Sequence, residues 1–448
     1  MLYRTFTETL ETWYRQKKKL ALLIDGARQI GKTTIVREFA LRHYQDNFLE
    51  INFLTTPSAK EIFSQDLSAE EIITKLTLFA RKKLIPHRTL VFFDEVQECL
   101  QVRTAIKFLV EDARFDYIES GSLLGLSYKG ITSYAVGFEQ IKTMHPMTFF
   151  EFALANGIQE STLASLRKSY LEKSPVDAFI HSQMLKLFAY YTIIGGMPAV
   201  VQEYVQSKDM MNVIELQRAI LALYQKDITQ YAEDKIKVKD IFDAIPSELN
   251  AKNKRFMLSD LSKTARHERY FSSFNWLVDA GVALPCYNLE DIKEPVAINK
   301  KRNLFKLFMN DSGLLCSMCS TDIQFQIVND NLDINEGSIA ENVIATQLKA
   351  NGFDLYYFDK NKLGEVDFII EQQSNLIPVE IKSGNTYKRH QALDALLQIK
   401  GYNLQESHVY CKGNIKQEGN ITYFPLYMIM FLKKENLLGS IDSFELKI

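Results

Sequence analysis

The first third of the chain gathers its apolar residues into short runs separated by amphipathic or polar stretches. Runs at 20–24, 48–54, 89–93, 115–120 and 140–144 have the length and the β-branched or aromatic content of buried strands. Helical or polar segments lie between them, and that alternation predicts an α/β domain built on a parallel sheet. The domain is expected to close near residue 155, after HPMTFFEFALANG, where a proline turn opens a helix that ends at a glycine. From 156 to 244 the pattern is helical. It breaks at IIGGMP, 193–198, where paired glycines mark a sharp turn, and the segment reads as a helical lid or linker. Residues 245–305 change grain. A short helix, a second near 258–263 and a third through 270–280 lead into the strand-like VALPCYN, an order that suits a winged-helix-like unit. The last stretch, 306–448, mixes the helical SIAENVIATQLKA with strands at 364–370 and 377–383, a second α/β domain.

The chemistry begins at the first strand. LALLIDGARQIGKTT, 20–34, places an apolar strand directly before a glycine-rich turn that ends in Lys and two Thr, the spacing of a phosphate-binding loop. Gly26, Ala27, Arg28, Gln29, Ile30 and Gly31 form the turn, whose backbone N–H groups would face phosphate oxygens. Lys32, Thr33 and Thr34 open a helix whose positive end aims at the same anion. Lys32 would reach the β- and γ-phosphates as a point charge, and the Thr33 hydroxyl would sit on magnesium. TLVFFDEV, 89–96, ends a second buried strand in two carboxylates at the same sheet edge. Asp94 would hold the magnesium through its water shell, and Glu95 would polarise the water that attacks the γ-phosphate. A third strand ends in Ser-Gly-Ser, so Ser120 or Ser122 is a candidate γ-phosphate sensor, although a plain turn would read the same. The loop alone does not separate ATP from GTP.

A second constellation lies near the C-terminus. GEVDFII and IPVEIKS read as adjacent antiparallel strands, with Asp367 on one and Glu380 and Lys382 on one face of the other. Glu341, from the helix before them, would join the acids. Two carboxylates and a lysine at this spacing suit metal-assisted phosphodiester hydrolysis: Glu341, Asp367 and Glu380 as magnesium ligands, Lys382 orienting water. A salt bridge across a hairpin is the plainer alternative. In the middle unit Lys252, Lys254, Arg255, Lys263, Arg266 and Arg269 supply local positive charge that would meet nucleic acid or simply face water.

The 448 residues, 46% of them hydrophobic, suffice for several domains, and a net charge of −2 names no partner. No apolar run approaches a membrane span and the start lacks a secretory signal, so a cytoplasmic protein is expected. Five cysteines make neither a disulfide framework nor a zinc site, and Cys316 and Cys319 read as packed helix residues.

The ordered motifs GARQIGKTT, LVFFDEVQ, ESGS, MHPMTFFEF, IIGGMP, LFKLFMNDSGLL, ENVIATQL, GEVDFII and VEIKS resemble, over nearly the whole chain, a prokaryotic AAA-type ATPase family with a C-terminal domain of unknown function. The resemblance implies a P-loop ATPase of the additional-strand class, a helical and winged-helix middle, and a C-terminal fold similar to restriction-endonuclease-like nucleases. It favours ATP with Mg2+ as cofactors. It also implies Lys32 and Thr33 as nucleotide and magnesium residues, Asp94 and Glu95 as the hydrolytic pair, and Glu341, Asp367, Glu380 and Lys382 as the nuclease-like set. Where relatives often carry a basic residue after Val-Gly, this chain has Val136-Gly137-Phe138, so a catalytic arginine is not assumed there; Arg103, Arg114 and Arg218 are positional candidates for an arginine acting in a homo-oligomer, with a solvated or salt-bridged residue as the plainer reading of each. Two functions follow. Either the ATP cycle controls a nuclease-like domain acting on DNA or another nucleic acid, or the chain is an ATP-driven switch whose C-terminal domain binds without cutting.

Overall fold

In the computed structural model, residues 2–17, 19–64, 67–121, 137–251, 255–257, 267–319, 326–327, 336–360, 363–373, 375–384, 386–402 and 404–434 are described. The chain divides into two compact units, one of Met1–Pro146 with Asn275–Val282, the other of Met147–Phe274 with Ala283–Ile448.

The first unit carries a five-stranded, wholly parallel sheet of β1 (Ala21–Asp25), β2 (Phe48–Asn52), β3 (Leu90–Asp94), β4 (Asp116–Ser120) and β5 (Glu139–Thr143). The strand order is β2-β3-β4-β1-β5, so β4 is interposed between the strand that precedes the glycine-rich turn and the strand that ends in the acid pair. Period-two alternation divides the apolar residues between two covered faces. Ala21, Leu23, Leu49, Ile51, Val91, Phe93 and Tyr117 point to one face. There they meet Ile72, Ile73 and Leu76 of α3 (Ala69–Ala80) and Val102, Ala105, Ile106 and Leu109 of α4 (Leu100–Asp112). The paired register aligns the C-terminal ends of β1 to β4, and everything that follows those ends converges on one edge.

The second unit begins with helices α5 (Phe149–Ala155), α6 (Glu160–Leu171), α7 (Ala178–Ile194), α8 (Pro198–Ser207), α9 (Met210–Tyr231) and α10 (Lys235–Asn250). Thr148 and Glu151 close a reciprocal capping box on α5, which explains the TFFE of the sequence motif. The IIGGMP turn joins α7 to α8 as expected, but its glycines serve close packing. A Cβ on Gly195 would lie 2.1 Å from Asp311 Oδ1, and one on Gly196 2.0 Å from the Met147 carbonyl. Gly196 N–H instead donates to Asp311 Oδ2 at 2.6 Å, and Leu314 N–H donates to Asp311 Oδ1 at 2.9 Å. The same network takes in Met147, through Tyr191 Oη donating to its carbonyl at 2.7 Å, and Gln347, whose Nε2 donates to Tyr191 at 2.8 Å. Four of the sequence motifs are thus parts of one buried hydrogen-bond network.

Two further sheets complete this unit. Strands β6 (Ala283–Leu289), β7 (Lys300–Met309), β8 (Tyr356–Lys360) and β9 (Gly364–Val366) run in the order β7-β6-β8-β9, antiparallel except for the β6–β8 pair. Strands β10 (Phe368–Gln372), β11 (Asn375–Lys382), β12 (Ser407–Cys411), β13 (Lys416–Glu418) and β14 (Ile421–Pro425) form a mixed sheet in the order β10-β11-β12-β14-β13, against which the helix Glu336–Ala350 packs. Two expected boundaries fall inside elements: α10 runs through residue 245, and β7 runs through residue 305. The β6–β7 hairpin, in the position of a wing, is extended by β8 and β9 instead of standing free. The expected helix at 258–263 lies outside the described residues.

Candidate functional site

At the edge of the first sheet, β1 delivers the chain to Gly26, where a Cβ would lie 2.3 Å from the Met144 carbonyl; only glycine fits. The turn closes at Gly31, φ 91°, which caps α2 (Lys32–His43) in the left-handed region open to glycine. Ile30 is fully buried and anchors the turn from below, whereas Gln29 and Thr34 are exposed and Arg28 is half-buried. Lys32 is buried, and its Nζ donates to the carbonyls of Gly26 and Ala27, both at 2.8 Å. Burial lowers the Lys32 ammonium to about 8, against the pull of Glu95, Asp94 and Asp25. Thr33 Oγ1 donates to Asp94 Oδ2 at 2.9 Å. A hydroxyl from the first helical turn and a carboxylate from β3 thus meet where a magnesium ion shared with phosphates would be held, and the donor chemistry fits that ion.

Asp94 is more heavily supported than its motif suggests. Asn52 Nδ2, from the end of β2, donates to Asp94 Oδ2 at 2.7 Å, and the buried Ser120 hydroxyl donates to Asp94 Oδ1. Ser120 thereby orients the acid, while Ser122 lies outside the described residues. Glu95, half-buried, stands at φ 58°, a left-handed conformation for a residue with a Cβ, and its carboxylate accepts from Gln97 Nε2. Backbone strain at the residue expected to position water is the kind that sites retain.

Three supporting residues escaped the motif reading. Arg4 donates from Nη1 to the Ile30 carbonyl at 2.7 Å and from Nη2 to the His145 carbonyl at 2.5 Å, tying the glycine-rich turn to the end of the sheet. A lone arginine before an N-terminal helix carries no spacing signal. Asn52 is likewise one polar residue at a strand end. Gly281, at φ 69°, lies so close to the turn that a Cβ there would come within 2.8 Å of Ala27 N.

Two of the candidate arginines are committed elsewhere. Arg103 is buried and pairs with Glu119 at 3.1 Å and with Glu139. Arg114 holds Asp112 with both Nε, at 2.6 Å, and Nη2, at 3.0 Å. Arg103 thereby balances acids inside the domain, and Arg114, partly exposed, is held in a fork by Asp112. Arg218 is exposed on α9. In the middle unit Arg255 pairs with Asp359. Lys252, Lys254, Lys263 and Arg266 lie outside the described residues, and nothing is described of the Arg269 side chain.

The second constellation comes together differently from its motif. β10 and β11 are antiparallel, as expected, and Asp367 sits at the break between β9 and β10, where its Oδ2 accepts from Ile381 N–H at 2.8 Å. The carboxylate oxygens that cluster within 4.8 Å of one another are those of Glu341, Glu365 and Asp367. Glu365 joins the expected Glu341 and Asp367 in that group, and the expected Glu380 lies close enough to feel the Glu341 charge. Glu380 and Lys382 share a face of β11, and Lys382 Nζ donates to Glu380 Oε1 at 2.7 Å, which draws that carboxylate to its own strand. Burial raises the Glu380 pKa, Lys382 opposes the rise, and the Glu341 charge adds to it. Glu380 Oε2 is buried with no hydrogen-bond partner among the described residues. Lys306, from β7, enters the acidic group: its Nζ lies 2.6 Å from Glu365 Oε1 and 3.3 Å from Glu341 Oε2, and the side chain is wholly buried. Burial opposes its charge, but Glu341, Glu365 and Asp367 outweigh that and hold the ammonium well above its ordinary pKa. Alternation identified Asp367, Glu380 and Lys382; Lys306 and Glu365 sit in motifs read for other features.

A parallel sheet with a strand interposed between the glycine-rich turn and the acid pair, and with Lys32, Thr33 and Asp94 gathered at its edge, defines a P-loop nucleoside-triphosphatase domain. Residues 18–153 match the family described as an AAA domain, which supports an AAA-type ATPase domain there. Residues 185–324 and 336–429 each match a family described as a domain of unknown function. The chain is similar to the uncharacterized protein MJ1637 of Methanocaldococcus jannaschii, with 25% identity over 94% of this chain and 87% of the relative. It is also similar to the uncharacterized protein MJ1544 of that organism, with 22% identity over 82% and 76%. Among solved structures, the Aeropyrum pernix ORC1 protein in complex with DNA aligns at 13% identity over 73% of this chain and 90% of that one, with a TM-score of 0.24. No helix among the described residues is long and apolar enough to cross a membrane.

Proposed function

We propose that the chain is a magnesium-dependent ATPase whose nucleotide cycle controls its acidic C-terminal domain. The observation that carries the ATPase reading is the hydrogen bond from Thr33 to Asp94 beside the buried Lys32. Lys32 would exchange its two loop carbonyls for β- and γ-phosphate oxygens. Thr33 and Asp94 would hold the magnesium that those phosphates share, with Asn52 and Ser120 fixing the Asp94 carboxylate. Glu95, one residue on, would orient the attacking water. Steady-state ATP hydrolysis tests this: Lys32→Ala should lose nucleotide binding, and Glu95→Gln should bind ATP and fail to turn it over. Full turnover by Glu95→Gln would remove that residue from the mechanism.

For the C-terminal domain, the gathering of Glu341, Glu365 and Asp367 supports a nuclease-like reading, in which carboxylates that hold a divalent ion cut a phosphodiester of nucleic acid. A second reading, a switch whose C-terminal domain binds without cutting, is favoured by the ion pairs that already engage Glu341, Glu365 and Glu380. Magnesium- or manganese-dependent cleavage of DNA and RNA, compared between wild type and Asp367→Ala, separates the two. Cleavage that vanishes in the variant supports the first; an uncut substrate alongside intact ATP hydrolysis supports the second.

A further inference from the structure

We infer that Lys306 is the resident cation of the acidic pocket, occupying with its ammonium the position a divalent ion would take and keeping the pocket metal-free until that side chain is displaced. The inference rests on the reading of this pocket as one with metal-binding carboxylates, and it concerns how that pocket is regulated. Three geometric observations support it. The oxygens of Glu341, Glu365 and Asp367 are grouped within 4.8 Å, close enough to share one ion. Lys306 Nζ is within ion-pair distance of two of them from a side chain with no exposure, so the contact is not a surface pair that opens and closes in solvent. A divalent ion bound to the same oxygens at ordinary distances of about 2.0–2.6 Å would sit within a few ångströms of that ammonium, and two cations at that separation exclude each other.

The pocket nevertheless carries more negative charge than Lys306 supplies positive. Three carboxylates face one ammonium, and Glu380 Oε2, buried and without a hydrogen-bond partner among the described residues, belongs to a carboxylate that feels the Glu341 charge. Lys382, which pairs with Glu380, brings the second positive charge. Lys306 is therefore the group whose removal would turn a partly neutralised cluster into a more strongly acidic one. Its side chain also lies against an aromatic ring, with Nζ 5.0 Å from the centre of Tyr357.

The test is a manganese titration of the full-length, nucleotide-free protein, reading free Mn2+ by electron paramagnetic resonance, for wild type, Asp367→Asn, Lys306→Met and Lys306→Gln. Wild type and Asp367→Asn are expected to bind the same number of ions. Lys306→Met is expected to gain one site, tighter than any binding at this pocket in wild type by on the order of a hundredfold, and adding Asp367→Asn should abolish it. Lys306→Gln, which keeps a donor to the carboxylates, covers the case in which methionine there does not fold. A manganese site in wild type that Asp367→Asn removes would overturn the inference, as would folded Lys306 variants that gain none. Cleavage is scored separately. A Lys306 variant that gains the ion and still cuts no DNA or RNA would refute the nuclease-like reading and leave this inference standing.

Discussion

At Lys32, nucleotide binding and domain stability pull in opposite directions, and the conflict is measurable. Its ammonium is lowered from the ordinary 10.5 to about 8, chiefly by burial. Because the folded value is the depressed one, the associated stability is present above the unfolded value and is lost as pH falls through about 8. At about 1.4 kcal/mol per pH unit, the displacement weakens the first unit by about 3 kcal/mol near neutral pH. Lys32→Met removes the charge and keeps most of the stem, but leaves the Gly26 and Ala27 carbonyls without a donor, at about 1 kcal/mol each. The variant should therefore be about 1 kcal/mol more stable than wild type near pH 7. Near pH 9.5 most of the lysine is already neutral in the fold, and the order should reverse. The change in the gap between the two pH values is about 2 kcal/mol.

Both tryptophans, Trp13 and Trp276, fall within the first unit, so urea unfolding followed by tryptophan emission reports that unit. The measurement compares wild type with Lys32→Met at the two pH values, in nucleotide-free protein. A stability gap that does not move with pH would refute the buried-ammonium account, whatever the variant does to ATP binding. The same reasoning fixes the pH dependence of binding. Phosphates favour the charged lysine, so wild-type affinity for ATP should fall above about pH 8, by up to about tenfold per pH unit, and calorimetry should detect proton uptake there.

Other expectations follow from contacts already described. Arg4→Met should weaken ATP binding without touching the nucleotide, because the Ile30 carbonyl loses its brace; equilibrium binding checks it, and unchanged affinity would make Arg4 a fold residue only. Gly281→Ala should do the same by pressing a methyl within 2.8 Å of Ala27 N, with a larger loss for Gly281→Val. Ser120→Ala should lower turnover more than binding, since it frees one oxygen of Asp94; equal losses in both would argue that Ser120 only packs. Gly195→Ala should destabilise the second unit by several kcal/mol, on the order of a large core substitution, because its methyl would meet the Asp311 carboxylate. Thermal unfolding measures it, and a wild-type melting temperature would show that the turn relaxes.

Strand residues proved legible where period and length combine, as in LVFFD, whose five positions are all buried. The P-loop was legible because its glycines and its Lys-Thr pair serve one purpose at fixed spacing. Legibility ended where a residue works across sequence distance. Arg4 meets the turn from 26 residues away, and Asn52 reaches Asp94 from 42, with no periodicity to announce either. The IIGGMP glycines were legible as a turn but not as packing, since the carboxylate that requires them lies 115 residues on. In the middle basic cluster Arg255 is the residue whose side chain is described, and it is matched to Asp359 within the same unit, a pairing across 104 residues that no charge count announces.

The C-terminal pocket carries that lesson into function. Read along one strand, Glu380 and Lys382 look like a ligand and its helper; in the fold Lys382 holds one oxygen of Glu380, and the clustered acids are Glu341 of the preceding helix, Glu365 of β9 and Asp367 at the break after β9. Which acids gather depends on β7, because Lys306 draws Glu341 and Glu365 to one point. Removing one partner of a buried ion pair is far more damaging than replacing the whole pair with apolar residues, since the remaining charge has no water to turn to. Lys306→Met alone should therefore destabilise the second unit by about 3–5 kcal/mol in the absence of metal. Lys306→Met combined with Glu365→Gln, which removes one charge of each sign, should recover part of that loss. If the double variant is no more stable than the single one, the ammonium is not balancing Glu365. The short contact would then reflect packing of the lysine stem against Tyr357 and not charge.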